Sequence, residues 1–484
     1  MRFLSKSLAF LILLSAFAVF SFSCGGGGKT TKYEITAELD GNTVTGEETV
    51  VFYNDTDNAF KELKFNLFAN AFRKNAKRPP ISAIHRASAY YNGESYGGIE
   101  ILSVKCGGED VEFSICGEDE NILCVPLKTA IYPSESVKIT IAFRTTLARV
   151  VARTGINENT INLANFYPIL CGIQDGGFYE CVYYSTGDPF FSDCADYKVT
   201  FTVPEEFVLA TSGKVLESSV KDGKRTETFY VNSARSFAAV ASEKFGVVSG
   251  NVGKTQVNYY YYDDENPEEF LSVAEKSLTL FNDLIGEYPY PVYSVAKTGF
   301  IEGGMEFPAL TFISDSLEKS AFSEVIAHET AHQWWQTVVG NNEIEYAFLD
   351  EGLAEYSVVL FYENYPEYGF TRKTLLEASE KTYKMFCSVS DKLFGKTDTS
   401  MMRSLKDFGS EYEYVNVCYV QPCIMYDLLR TTAGDKVFFS GLKKYYHEYF
   451  MKNATPDGLI SCFCSAGADV EGFFDGFLYG KVIL

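Results

Sequence analysis

The chain has 484 residues, 46% of them hydrophobic and 22% charged, with a net charge of −22 at pH 7. That length exceeds one ordinary core and predicts two or three globular domains. The acidity argues against nucleic acid, which needs a basic stripe, and against docking of the folded body on anionic lipid; solubility alone is a sufficient reason for it.

The first 23 residues read as a leader rather than as part of the fold. Arg2 and Lys6 supply a charged start, and residues 8–20 are apolar apart from Ser15. Ser21-Phe22-Ser23-Cys24 and four glycines follow. A cysteine after small residues resembles a bacterial lipobox, with Ser21 where that motif usually has Leu. The resemblance implies cleavage before Cys24, lipidation of that cysteine, and a flexible tether over residues 24–31. The expected location is therefore a bacterial cell membrane, facing outside, held through lipidated Cys24. Simple secretion and an uncleaved anchor helix are the alternatives, although the apolar run is short for a span. Twelve cysteines occur in all. Removing Cys24 leaves an odd number, so complete internal pairing is excluded and most are expected to be buried free thiols.

Residues 32–247 read as a β domain. Residues 33–39 alternate apolar and polar, Asp40-Gly41-Asn42 supplies a turn, and a second alternating run follows. Similar runs recur at 136–143, 196–203 and 227–231. Near residue 250 the pattern changes. Residues 257–262 form one more strand, and Pro267 then opens a helix carrying Phe270, Leu271, Val273, Ala274, Leu278, Phe281 and Leu284 at helical spacing. From about residue 316 the chain reads mainly helical. The second domain is thus expected over residues 248–484.

The chemistry is carried by His328-Glu329-Thr330-Ala331-His332. On a helix, His328 and His332 share one face, one turn apart, and Glu329 projects beside them. A catalytic zinc takes three protein ligands and keeps one position open. Glu351 is the expected third ligand, in a second helix starting near Phe348, and Glu355 is one turn further on, where it could orient a ligand histidine. The chain has only four histidines, so two at this spacing are unexpected by accident. The bland alternative is a polar helix face without metal.

With eighteen residues between His332 and Glu351, this pattern resembles the aminopeptidase N-like gluzincin metallopeptidases, which include leukotriene hydrolase. Gly303-Gly304-Met305-Glu306-Phe307 resembles that family's G-x-M-E-N motif, with Phe307 in place of Asn. Tyr419 stands where the family has its catalytic tyrosine. The resemblance covers residues 30–484. It implies an α+β multidomain protein: an N-terminal all-β saddle or sandwich domain, then a thermolysin-like, mainly helical catalytic domain. It further implies one Zn2+ per chain held by His328, His332 and Glu351. Glu329 would be the base for the attacking water and Tyr419 the donor to the tetrahedral oxyanion. Glu306 would bind the free α-amino group of a peptide, and Gly303, Gly304 and Met305 would lay backbone along it. A zinc aminopeptidase acting on peptides with a free N-terminus is the leading expectation. A thermolysin-type endopeptidase and a non-catalytic peptide-binding lipoprotein are the alternatives. A second amino anchor is expected in the N-terminal domain between residues 165 and 190, with Gln174 and Asp175 as candidates. Tyr414 is read as a second site tyrosine or a helix-start residue, Trp334 and Trp335 as core, and His85 and His447 as ordinary histidines.

Overall fold

The computed structural model describes residues 30–467 and 469–482. The leader, Cys24 and most of the tether lie outside the described residues. No described helix is long and apolar enough to cross a membrane.

The first half is built on an eight-stranded sheet. Its strands are β1 (Lys32–Asp40), β2 (Thr43–Tyr53), β3 (Gly98–Cys106), β4 (Ser136–Thr146), β5 (Ala195–Pro204), β6 (Lys214–Lys221), β7 (Lys224–Ala234) and the two-residue Glu109–Asp110. They lie in the order β6-β7-β5-β1-β2-β4-β3, ending on Glu109–Asp110. In β1 every second side chain is buried, as the alternation requires. β1 and β5 pair in parallel, with Tyr33 opposite Tyr197 and their rings stacked 4.5 Å apart. Two four-stranded sheets and a two-stranded ribbon of Ile173–Gln174 with Gly177–Phe178 accompany the eight-stranded sheet. Cys116 and Cys124 are bonded to each other, and nine other described cysteines are free.

The second half opens on a five-stranded sheet of β8 (Gly246–Val252), β9 (Thr255–Tyr261), β10 (Val292–Thr298), β11 (Gly304–Phe307) and β12 (Leu310–Ser314). The order is β8-β9-β10-β12-β11, so β11 is an edge strand. Helix α1 (Pro267–Leu284) links β9 to β10, which pair in parallel. Pro267 begins it and Glu268 and Glu269 occupy its first turn, where the backbone N–H groups favour negative charge. Strands β10 and β12 are buried at every position. They carry no polar-apolar alternation, so the sequence does not announce them as strands.

Helices follow: α2 (Phe322–Ala331), α3 (Phe348–Asn364), α4 (Arg372–Phe394), α5 (Glu411–Val415), α6 (Gln421–Ala433) and α7 (Asp435–Glu448). Trp334 and Trp335 are core residues, donating to Gly286 O and Ser357 Oγ respectively. The two halves are stapled by Arg235, 4% exposed, just after β7. Its guanidinium donates to Ser192 O on the β side and to Gln336 O and Lys452 O on the helical side.

Candidate metal centre and active-site cavity

A cavity of about 390 Å³ opens between the two halves. Its lining includes eight carboxylates, one arginine and three of the chain's four histidines.

Helix α2 presents His328 in its last turn, and His332 caps its end. The two Nε2 atoms are 3.1 Å apart. Glu351, in the first turn of α3, brings Oε2 to 3.4 Å from His328 Nε2 and 3.2 Å from His332 Nε2. Ligands at about 2.0–2.1 Å around a tetrahedral zinc are about 3.3 Å from each other, so this triangle has the right size. The proton pattern also fits. His332 Nδ1 is 2.9 Å from Trp335 O, and His328 Nδ1 is 3.3 Å from Glu355 Oε2. Both rings therefore donate through Nδ1 and turn the lone pair of Nε2 inwards. Glu351 Oε2 is buried without a hydrogen-bond partner. Three lone pairs facing one point are satisfied by a cation. The surroundings favour positive charge at this point: against the lowering by burial, Glu351 and Glu355 raise the proton affinity of His328, and a bound cation takes the place of that proton. The residues present fit a zinc ion.

The other expected residues gather around this triangle. Glu329 is 5% exposed and its Oε2 has no partner. Burial, then the charge of Glu306, pushes its carboxyl up to about 8. Glu306, on edge strand β11, is 4% exposed with Oε1 unpartnered, and burial raises it to about 7. Gly303 and Gly304 line the cavity. A side chain on Gly304 would put Cβ 2.5 Å from Glu329 Oε1, so any larger residue there must displace that carboxylate. Met305 does not line the cavity beside them. It is buried behind the wall, with Sδ 3.0 Å from Arg153 Nε. Phe307 turns into the core against Phe312. Tyr419 lies in a π-helical turn, Asn416–Val420, between α5 and α6. Its ring stacks on His328 at 5.9 Å, and its hydroxyl donates to Glu351 Oε1. Tyr414 packs edge-on against it, with a buried hydroxyl that has no partner.

Three residues from the N-terminal half were not anticipated as part of the site. Asp188 and Arg153 form a buried ion pair in the cavity wall, and the guanidinium also lies over the rings of Phe190 and Phe300. His85, read from sequence as an ordinary histidine, lines the mouth, 3.3 Å from Glu411. Conversely, Gln174 and Asp175 are not part of the lining. Gln174 accepts from Asn342 Nδ2 at 2.6 Å, and Asp175 sits in a tight turn with φ 51°. Asp188 falls in the stretch where a second anchor is expected, but no local pattern distinguishes it from its polar neighbours.

Residues 270–477 match the family model described as the Peptidase family M1 domain. Among curated proteins, leucine aminopeptidase 2 of Coccidioides immitis is 25% identical over 340 residues, covering 65% of this chain and 52% of that one. Leukotriene A-4 hydrolase of Xenopus laevis is 27% identical over 196 residues, or 38% of this chain and 30% of that one. The chain spans about half the length of the first of these relatives. Among solved structures, an M1 zinc metallopeptidase from Deinococcus radiodurans superposes with a TM-score of 0.66 at 15% identity, covering 95% of this chain and 96% of that one. A variant of that protein, solved with a Tyr-Ser-Ala substrate, gives 0.66 at 16% identity over 94% and 95% of the two chains. These structures share the two-domain fold.

Proposed function

We propose, for a chain that belongs to peptidase family M1 through its residues 270–477, that it is a zinc-dependent aminopeptidase removing the N-terminal residue of peptides. The observation that carries this reading is Glu306. A buried carboxylate with one unpartnered oxygen, beside three convergent metal ligands, suits a substrate ammonium group. Aminopeptidases among the relatives support the same reading.

Zinc, held by His328, His332 and Glu351, would supply Lewis-acid polarisation of the scissile carbonyl and of the attacking water. Glu329 takes a proton from that water and passes it to the leaving amine. Its raised pKa suits a group that must both accept and release a proton near neutrality. Tyr419 turns its hydroxyl from Glu351 to the oxyanion of the tetrahedral intermediate. Glu306 pairs with the α-ammonium and sets the chain one residue deep. Gly303 and Gly304 leave the edge of β11 bare, so an extended peptide can run along it. Glu355 holds His328 in the tautomer that faces the metal.

The test is hydrolysis of free and N-acetylated peptides by the purified protein, with zinc and with a chelator. Chelator-sensitive release of N-terminal residues from free peptides only is the expected result. Glu329→Gln is expected to lower kcat by about 10²–10⁴ while keeping one zinc per chain. Cleavage of acetylated peptides would replace the reading with an endopeptidase, and zinc binding without any cleavage with a peptide-binding protein. The leader and Cys24 support an exported, lipid-anchored location. Fatty-acid labelling that is lost in Cys24→Ala is the expected sign of it.

A further inference from the structure

Helix α4 stands on the surface of the helical half. Of its 23 residues only Tyr383 and Phe386 are buried. The outward face of such a helix is ordinarily polar. Here Met385, Val389 and Leu393, each four residues after the last and so on one face, are all exposed, and Phe394 follows at the end of the helix. Leu393 is 69% and Phe394 80% exposed, so most of each side chain meets water. Tyr412 widens the strip. It is exposed as well, and its ring packs edge-on against Phe386 at 5.8 Å. Gly395, with φ 82°, then ends α4, and a side chain there would meet nothing within 4 Å. The tip bearing Leu393 and Phe394 thus stands clear of the fold. An apolar strip left open in this way marks a contact surface.

The charge around it says what the strip meets. Residues 381–396 hold four lysines, Lys381, Lys384, Lys392 and Lys396, against the single acid Asp391, in a chain whose net charge is −22. All four lysines are exposed. Lys384 pairs with Glu380. Lys381, Lys392 and Lys396 have no ion pair among the described residues. Asp391 accepts from the backbone N–H and the hydroxyl of Thr397, within the turn that follows the helix. Apolar side chains beside unpaired ammonium groups match a lipid bilayer, whose phosphates lie just outside its acyl chains. A second copy seated on the same strip about a two-fold axis would press two positive patches together. The chain as a whole repels an anionic surface. Its distant acids, however, are screened beyond about 8 Å at physiological salt, whereas these lysines lie at the contact itself.

We propose that the outer face of α4 rests on a lipid bilayer. Leu393 and Phe394 enter the interfacial layer, and Lys381, Lys392 and Lys396 meet the phosphate groups. The helix lies on the membrane and does not cross it. This surface goes beyond the peptidase reaction and does not depend on it.

The test uses the purified full chain with whatever Cys24 carries. Trp334 and Trp335, the only tryptophans, are buried. Phe394→Trp therefore places a single exposed indole at the tip. The probe is vesicles of phosphatidylcholine and phosphatidylglycerol, with and without bromine on the acyl chains. Bromine is expected to quench that indole by about twofold or more, as burial at the headgroup boundary requires, and to leave the parent chain unchanged. Val215→Trp, on the exposed edge strand β6, should not be quenched, which separates a seated face from tethering. In the Phe394→Trp chain, Lys381→Glu, Lys392→Glu and Lys396→Glu together should weaken the quenching, more so with phosphatidylglycerol present than with phosphatidylcholine alone. An indole at 394 that stays open to acrylamide and untouched by bromine at lipid excess overturns the proposal. Equal quenching at 394 and 215 also overturns it, as adsorption without a preferred face. Shielding of the indole without lipid, in a concentration-dependent dimer, overturns it in favour of a second copy.

Discussion

Gly304 is small because Glu329 stands where its side chain would be. Gly304→Ala must push the carboxylate by a large part of an ångström, since 2.5 Å is far inside contact distance. A base displaced by about 1 Å can lose about 10² in rate. The expected outcome is therefore a kcat lower by about 10–100-fold with zinc content unchanged, read from steady-state kinetics and metal analysis. A second residue matters for stability instead. Glu48 on β2 is fully buried and neither carboxylate oxygen has a partner. Burial raises its pKa well above the usual value, whereas an unfolded Glu titrates near about 4.3. Above that pH the folded state keeps a proton that the unfolded state has released, so stability falls as pH rises. Glu48→Gln removes this dependence. Its unfolding free energy relative to the parent is expected to improve steadily from pH 4 to pH 8, in denaturant titrations. Parallel profiles would show that Glu48 does not carry the effect.

At the scale of elements, the π-helical turn Asn416–Val420 decides where Tyr419 points. A π turn holds one residue more than the α-helix it interrupts, and such turns recur at functional sites. Here it lets α5 and α6 run on as one rod while swinging Tyr419 onto His328. Deleting Val420 should restore an α-helical register and rotate the tyrosine away. The expected kcat loss equals that of Tyr419→Phe, about 10²–10³, with zinc still bound. A deletion variant with near-parental kcat would mean that Tyr419 is not the donor. Edge strand β11 is the second decisive element. Its free side faces the cavity, and its order in the sheet, not its composition, makes it a template for a peptide.

At the scale of the molecule, the cavity exists only while the two halves stay docked. Arg153, Asp188 and His85 come from the β half, and the three convergent residues His328, His332 and Glu351 from the helical half. Arg235 is one polar staple between them, with charge-assisted hydrogen bonds to backbone carbonyls on both sides, and Asn157 and Asn162 donating to Gly299 O form another. Arg235→Met would remove the donor from Gln336 O and Lys452 O and leave Ser192 O with Asn453 Nδ2 alone. Such bonds contribute about 1.5–3 kcal/mol each, so a stability loss of about 3 kcal/mol or more is expected in urea unfolding. A loss below about 1 kcal/mol would show that Arg235 does not hold the halves together.

The sequence by itself pointed to the proposed metal triangle and the proposed base. His328, Glu329 and His332 lie within five residues, and helical periodicity alone puts the two imidazoles on one face. The alternating strands of the first half and the amphipathic α1 were legible for the same reason, since each records in its own spacing which side meets the core. Strands β10 and β12 were not, because strands buried on both faces carry no alternation. The walls of the cavity were not legible either. Nothing local marks Asp188 above Asp175, or His85 above His447. Their places depend on which loops of the β half reach His328, His332 and Glu351 when the two cores dock, a matter of long-range packing. Met305 shows the same limit in reverse, since it lies within the motif yet points behind the wall at Arg153. Local spacing therefore set the chemistry, and only the docking of the two halves decided what surrounds it.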